Sequence, residues 1–244
     1  MKKILSLLSI GLFLAPLSQY AQAVAVRFLA IENSIRDLYI MEGREFVELR
    51  AGAFAPSGYK EVTLGENRQL TLYKTIETED GLRYEAAASS SVPSDYSEVL
   101  AIIVPGSNGR FGMGIYDDSW NDFPARSLRV INVSPVQLAS RIGKQTIQLE
   151  PLRAGMVEVE YVGNRPITNV LTVYKDQGGE WQTVYNQPTA VLPNWRVTGV
   201  AVGTRGGLAR AQGAEFEEGD PAATTTRLEF FTFHDIQPTN GNRY

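Results

Sequence analysis

From Met156 to Val162 the chain reads Met-Val-Glu-Val-Glu-Tyr-Val, with apolar side chains alternating with carboxylates. A period of two is that of a strand with one face in the core and one in water. Ser127-Leu128-Arg129-Val130-Ile131-Asn132 follows the same pattern over fewer residues. About eight such short runs occur in each half of the chain, at the ~8–12-residue spacing of sandwiches and small barrels. No stretch of a dozen residues beyond the first 23 carries a 3.6 period. Gly43 and Gly143 each separate two runs, where a tight hairpin needs positive φ. Asp80-Gly81, Gly163-Asn164 and Gly178-Gly179 are further turn signals.

The runs repeat. Leu70-Thr71-Leu72-Tyr73-Lys74 returns 101 residues later as Leu171-Thr172-Val173-Tyr174-Lys175. Val26-Arg27-Phe28-Leu29 aligns with Leu128-Arg129-Val130-Ile131, and Leu38 through Gly43 with Leu138 through Gly143. Tyr84 falls opposite Trp181, the segment 99–104 opposite 197–202, and Gly114-Ile115-Tyr116-Asp117 opposite Thr232-Phe233-His234-Asp235. A repeat of this length implies one structural unit used twice. The expected fold is all-β: two tandem antiparallel β-sandwiches of the Ig-like kind, at 24–118 and 126–236, with a tail at 237–244. Residues 119–125 form the joint between them. Its Ser119-Trp120-Asn121-Asp122-Phe123-Pro124 is turn-forming yet rich in aromatics, so Trp120 and Phe123 are expected to pack between the units. Unit two differs by one long connection, 204–226, which has no regular pattern. Loops that long tend to be functional or disordered.

Residues 1–23 read as a cleavable secretory signal: Lys2-Lys3, an apolar run from Ile4 to Leu17, then Ala21-Gln22-Ala23. The run is too short for a bilayer span, and no later segment supplies a transmembrane anchor. The expected location is outside the cytoplasm, in the periplasm or at the cell surface. With no cysteine, neither a disulfide nor a thiolate centre can form, so the core alone must hold the fold. Without Lys2 and Lys3 the chain has 21 basic and 27 acidic residues, a balance that argues against nucleic acid as a partner.

Candidate chemistry is sparse. His234 is the only histidine, and neither a nucleophile elbow nor a phosphate-binding glycine loop occurs. No catalytic residue and no cofactor is assigned. Asp117, Asp118, Asn121 and Asp122 are hard oxygen donors of the kind calcium takes, although their spacing is not that of an EF-hand and turn capping explains them as well. Glu215, Glu217, Glu218 and Asp220 surround Phe216 in the long loop, and paired carboxylates could serve a hydrolase if they faced one cleft. Trp120, Trp181, Trp195, Tyr185 and Phe216 could stack on sugars. Phe216 with Arg205 and Arg210 is the expected partner contact, because a large apolar side chain there has no core to join.

Leu128-Arg129-Val130-Ile131-Asn132-Val133-Ser134-Pro135 resembles the opening strand of a widespread bacterial exported β-sandwich domain of unknown function, in which an Arg-Val-x-x-x-Ser-Pro stretch precedes a hairpin. The duplication and the Asp-Asp-Ser-Trp-Asn-Asp-Phe-Pro joint are similar to uncharacterised signal-bearing bacterial proteins. Unit one departs from that pattern, with Ala30-Ile31-Glu32-Asn33-Ser34 in place of the Ser-Pro. The resemblance implies fold and export, and no site. The functional expectation is a non-enzymatic exported binding or assembly module of the bacterial envelope, its partner an envelope protein or polysaccharide. The alternatives are carbohydrate binding through exposed aromatics and, further off, a carboxylate hydrolase. Self-association through an open sheet edge is a further option.

Overall fold

The computed structural model describes residues 23–31, 33–106, 110–161, 165–176, 178–203 and 228–238. The segment 1–22, the whole of the long connection 204–226 (with Arg205, Arg210, Phe216 and its acidic cluster) and most of the tail lie outside them.

The described chain is all-β, with eight strands in each half. Unit one contains β1 (Ala23–Ala30), β2 (Ile35–Glu42), β3 (Glu45–Ala51), β4 (Lys60–Thr63), β5 (Gln69–Thr78), β6 (Gly81–Ser91), β7 (Glu98–Pro105) and β8 (Phe111–Asp117). Unit two contains β9 (Ser127–Val133), β10 (Leu138–Ile142), β11 (Gln145–Leu149), β12 (Ala154–Glu158), β13 (Ile167–Lys175), β14 (Trp181–Ala190), β15 (Trp195–Gly203) and β16 (Leu228–Ile236). Each unit pairs an outer sheet with an inner one. The outer orders are β3-β2-β5-β6 and β11-β10-β13-β14, and the inner orders are β4-β1-β7-β8 and β12-β9-β15-β16. The sheets are mostly antiparallel, but β1 runs parallel to β7 and β9 parallel to β15. The hairpin glycines take the positive φ expected of them, +62° at Gly43 and +58° at Gly143.

Three apolar layers follow from the side-chain alternation. Val26, Phe28, Ala101 and Ile103 turn inward to Leu38, Ile40 and Leu72, forming the core of unit one. Leu128, Val130 and Val197 meet Leu138, Ile142 and Val170 in unit two. The opposite faces of the inner sheets meet each other: Leu29, Ile31, Leu100 and Ile102 pack on Ile131, Val133, Val200 and Val202. The inner strands are therefore covered on both sides, which explains the unbroken apolar run Val99–Val104. It also corrects the reading of 127–132 as half-wet, because every residue of β9 is buried and the alternating Arg129 faces the other unit. The strand anticipated from Met156 to Val162 likewise ends at Glu158.

Register refines the repeat. Leu38 pairs with Leu49 and Leu138 with Leu149, so the outer hairpins match at an offset of 100. Tyr39 pairs with Tyr73 and Ala139 with Val173, which carries the same offset into β5 and β13. Leu70 and Leu72 thus correspond to the buried Val170 and Thr172, not to Leu171 and Val173. The Leu-Thr-x-Tyr-Lys likeness stands one residue out of register, a slip that would turn every side chain to the other face. A similar slip affects the last strands. Val99 pairs with Asp117 and Val197 with His234, so Tyr116 corresponds to Phe233 and Asp118 to Asp235.

Candidate functional site

Two features stand out on this frame: a buried cluster of charges between the units and an aromatic surface on the outer sheet of unit one.

The charges come from equivalent places. Arg27 of β1 and Arg129 of β9 occupy matching positions, with Val26 opposite Val99 and Leu128 opposite Val197 across the parallel ladders. Their partners Asp118 and Asp235 match as well. The Arg27 guanidinium donates from Nε and Nη2 to Asp118, and from Nη1 and Nη2 to Asp235 at 2.5 and 2.6 Å. Arg129 Nη2 donates to Asp118 Oδ1 at 2.9 Å and to Thr198 Oγ1 at 3.2 Å, while its Nη1 donates to the Asp117 carbonyl. Arg196 Nε donates to Asp235 Oδ2 at 3.1 Å, and its Nη1 reaches the carbonyls of Asp118 and Phe123 at 2.9 and 3.2 Å. Tyr59 donates its hydroxyl to Asp118 Oδ2 at 2.6 Å. Arg27, Arg129, Arg196 and Asp118 are all at most 4% exposed.

Burial alone would raise the Asp118 pKa, but the charges of Arg129, Arg27 and Arg196 outweigh it and hold the carboxyl below its ordinary value. Burial, then the Asp118 charge, pushes the Tyr59 phenol well above its usual range. The joint closes over this cluster. Phe123 is buried, its ring 4.2 Å from the Arg129 guanidinium and 5.0 Å from that of Arg196, and Trp120 lies 3.9 Å over Arg196. These aromatics meet cations rather than an apolar seam.

The same contacts bear on the calcium candidates. Asp118 faces three guanidiniums, Asp117 Oδ1 accepts the Ser119 backbone N–H, and Asp122 Oδ2 accepts the Ser119 hydroxyl. Asp118 serves the arginines, and Asp117 and Asp122 serve a local turn. Among the described residues no group of three or more His, Cys, Asp or Glu side chains is placed to hold a metal.

The aromatics singled out in sequence are scattered. Trp195 stacks on His234 at 3.8 Å, Tyr185 packs on Phe230, and Trp181 is 57% exposed with Lys175 over its ring. A different set does assemble, on the outer face of unit one. Phe46 stacks on Tyr84 with centroids 3.8 Å apart and planes at 13°, while Tyr39 and Tyr73 meet these rings edge-on at 5.1 and 4.9 Å. Beside them a polar ladder crosses β5 and β6: Thr71 to Ser89 at 3.0 Å, and Gln69 Nε2 to Ser91 at 2.6 Å. Tyr39, Phe46 and Tyr73 remain partly exposed and Tyr84 is exposed. The signal for this cluster was present in the sequence, as aromatics at the polar positions of alternating strands, but it required the correct register across four strands.

Unit two supplies an internal comparison. The positions matching Tyr39, Phe46 and Tyr73 hold Ala139, Thr146 and Val173, and Tyr84 is matched by Trp181. The same sheet is built without the ring cluster, so the fold does not require it.

No family model matches the chain, and no curated protein matches it by sequence. Among solved structures, a "putative cell adhesion protein" from Bacteroides eggerthii aligns over 89% of this chain and 97% of its own length, at 8% identity and a TM-score of 0.23. At that level the likeness says nothing of what this chain binds.

Proposed function

We propose that the protein is a non-enzymatic binding module of the bacterial envelope, exported by its leader, and that it grips a polysaccharide on the outer face of unit one. The observation that carries this reading is the cluster of Tyr39, Phe46, Tyr73 and Tyr84, which unit two dispenses with in the same fold. Aromatic faces present flat apolar area to the C–H side of a sugar ring, and neighbouring hydroxyls and amides serve its O–H groups. Gln69, Thr71, Ser89 and Ser91 provide those groups.

A protein partner is the second reading, favoured by β6. This eleven-residue strand lies at the edge of its sheet, with Leu82 72% exposed at its start. A strand at the edge of a sheet can take another strand by backbone pairing.

The two readings separate in one experiment. Envelope polysaccharides are screened on an array and by tyrosine fluorescence, with native protein and with Tyr84→Ala. Binding by the native chain, weakened at least tenfold in the variant, supports the polysaccharide reading. A blank array, with envelope protein captured equally by both, transfers the site to the β6 edge.

A further inference from the structure

Residues of β8 in unit one and of the entry to β12 in unit two line a cleft of about 280 Å³, together with Asp122 and Phe123 of the joint. Two buried polar groups in its walls are left unpaired by the fold. Tyr116 is 6% exposed, and its hydroxyl has no hydrogen-bond partner among the described residues. Arg129 is 4% exposed, and its Nε–H is likewise unpaired although both terminal nitrogens are bonded. The two are neighbours: burial pushes the Tyr116 phenol up, and the Arg129 charge opposes that rise. The phenol stays protonated and can donate. Gly114 makes room for the ring, since a Cβ there would stand 2.9 Å from the hydroxyl oxygen. A buried donor without an acceptor costs free energy, so each such group calls for a reason.

The fold does not require this pair. Phe233 stands in unit two where unit one has Tyr116. Arg27, the counterpart of Arg129, bonds through Nε to Asp118 and lies 5.6 Å from the Phe233 ring. The same corner is thus built once with every guanidinium nitrogen engaged and no hydroxyl, and once with two donors to spare beside a cleft.

The charges around the cleft are sorted by wall. Unit two contributes Arg129 and the exposed Arg153, whereas unit one and the joint contribute Asp117 and Asp122. Each of these carboxylates gives one oxygen to Ser119. Both act on Tyr96, which also lines the cleft: its phenol is pushed up by burial first, then by the charges of Asp117, Asp95 and Asp122. Leu152 and Met156, the latter 41% exposed, add apolar area.

We propose that this cleft is a binding site separate from the ring surface of unit one, and that it takes a small zwitterion, an α-amino acid with an apolar side chain. Its carboxylate accepts from the Tyr116 hydroxyl, Arg129 Nε and Arg153. Its ammonium donates to Asp117 and Asp122, and its side chain lies on Leu152 and Met156. The volume falls just below the range of about 300–1,000 Å³ that holds drug-sized ligands, which suits one small unit. An anion or a cation alone would face like charges on one wall, and a neutral sugar would answer neither wall with charge. The two unpaired donors have no exposed surface in the free chain, so entry parts the wall at Leu152 and Met156, neither of which is fully buried.

Titration calorimetry on the full-length protein tests the proposal with L-leucine and L-methionine. The controls are isocaproate, which is leucine without its ammonium, isoamylamine, which is leucine without its carboxylate, and D-glucose. Leucine or methionine should bind, and each control at least tenfold more weakly. Tyr116→Phe should weaken the amino acid at least tenfold. The thermal midpoint of the free variant should rise by about 2–4 °C, because an unsatisfied hydroxyl is deleted where unit two already carries phenylalanine. Arg153→Gln, at an exposed position, should also weaken binding. Failure of both amino acids to bind, equal binding of any control, or a Tyr116→Phe chain that binds undiminished or loses thermal stability would each overturn the proposal.

Discussion

Replacing Asp118 by Asn is expected to destabilise the protein by about 3–5 kcal/mol, the range for removing one partner from a buried ion pair. The size follows from how much converges on this carboxylate. Arg27 and Arg129 bond to it, Arg196 lies 3.7 Å away, and Tyr59 donates its hydroxyl to it. Asparagine keeps the volume but leaves three guanidiniums buried with less compensation. Since the contacts span both units, the loss should also uncouple them: calorimetry should show one transition in the parent and two in the variant. A change below about 1 kcal/mol, of the size typical of a surface pair, would show that the cluster does not hold the units together.

The same carboxyl sets an acid limit. Its folded pKa lies below the unfolded value of 3.8. Its contribution is therefore fully present above that value and is lost as pH falls through the folded pKa. The parent should lose stability more steeply below pH 3.8 than Asp118→Asn does, a difference measurable by denaturant unfolding across that window.

Phe123→Ala is expected to cost about 3–5 kcal/mol, as truncation of a buried phenylalanine does. Phe123 is 2% exposed and lies between the guanidiniums of Arg129 and Arg196, so its removal leaves a cavity beside two buried cations. Trp120, only partly buried although stacked on Arg196, should cost about 1–2 kcal/mol less when replaced by alanine, because water can take part of its place. Urea unfolding of the two variants checks the order. A larger loss at Trp120 would mean that the joint is held by its outer ring, not its inner one.

Much of the architecture is legible in local pattern, because strand period and hairpin chemistry act over a few residues. Gly43 and Gly143 illustrate this: each sits at a turn that requires positive φ, and each adopts it. What acts across the chain is harder to read. Arg129 in an alternating run looks like a residue facing water, yet it faces a second unit. Its counterpart Arg27 finds Asp118 91 residues away. The most conspicuous repeat, Leu-Thr-x-Tyr-Lys, misaligns the outer sheets by one place, whereas the plainer hairpin match at Leu38 and Leu138 is in register. The ring cluster was hidden for the same reason. Tyr39, Phe46, Tyr73 and Tyr84 lie on four strands, and only the correct pairing brings them together.

The functional account is tested most directly by giving unit one the residues that unit two already carries: Tyr39→Ala, Phe46→Thr and Tyr73→Val in one chain. These side chains suit the same sheet in unit two, so the fold should persist, as judged by an unchanged strand signal and cooperative unfolding. Binding to the envelope polysaccharide identified with native protein should fall at least a hundredfold by titration calorimetry. A folded variant that binds with undiminished affinity would contradict the account and place the contact surface elsewhere on the molecule.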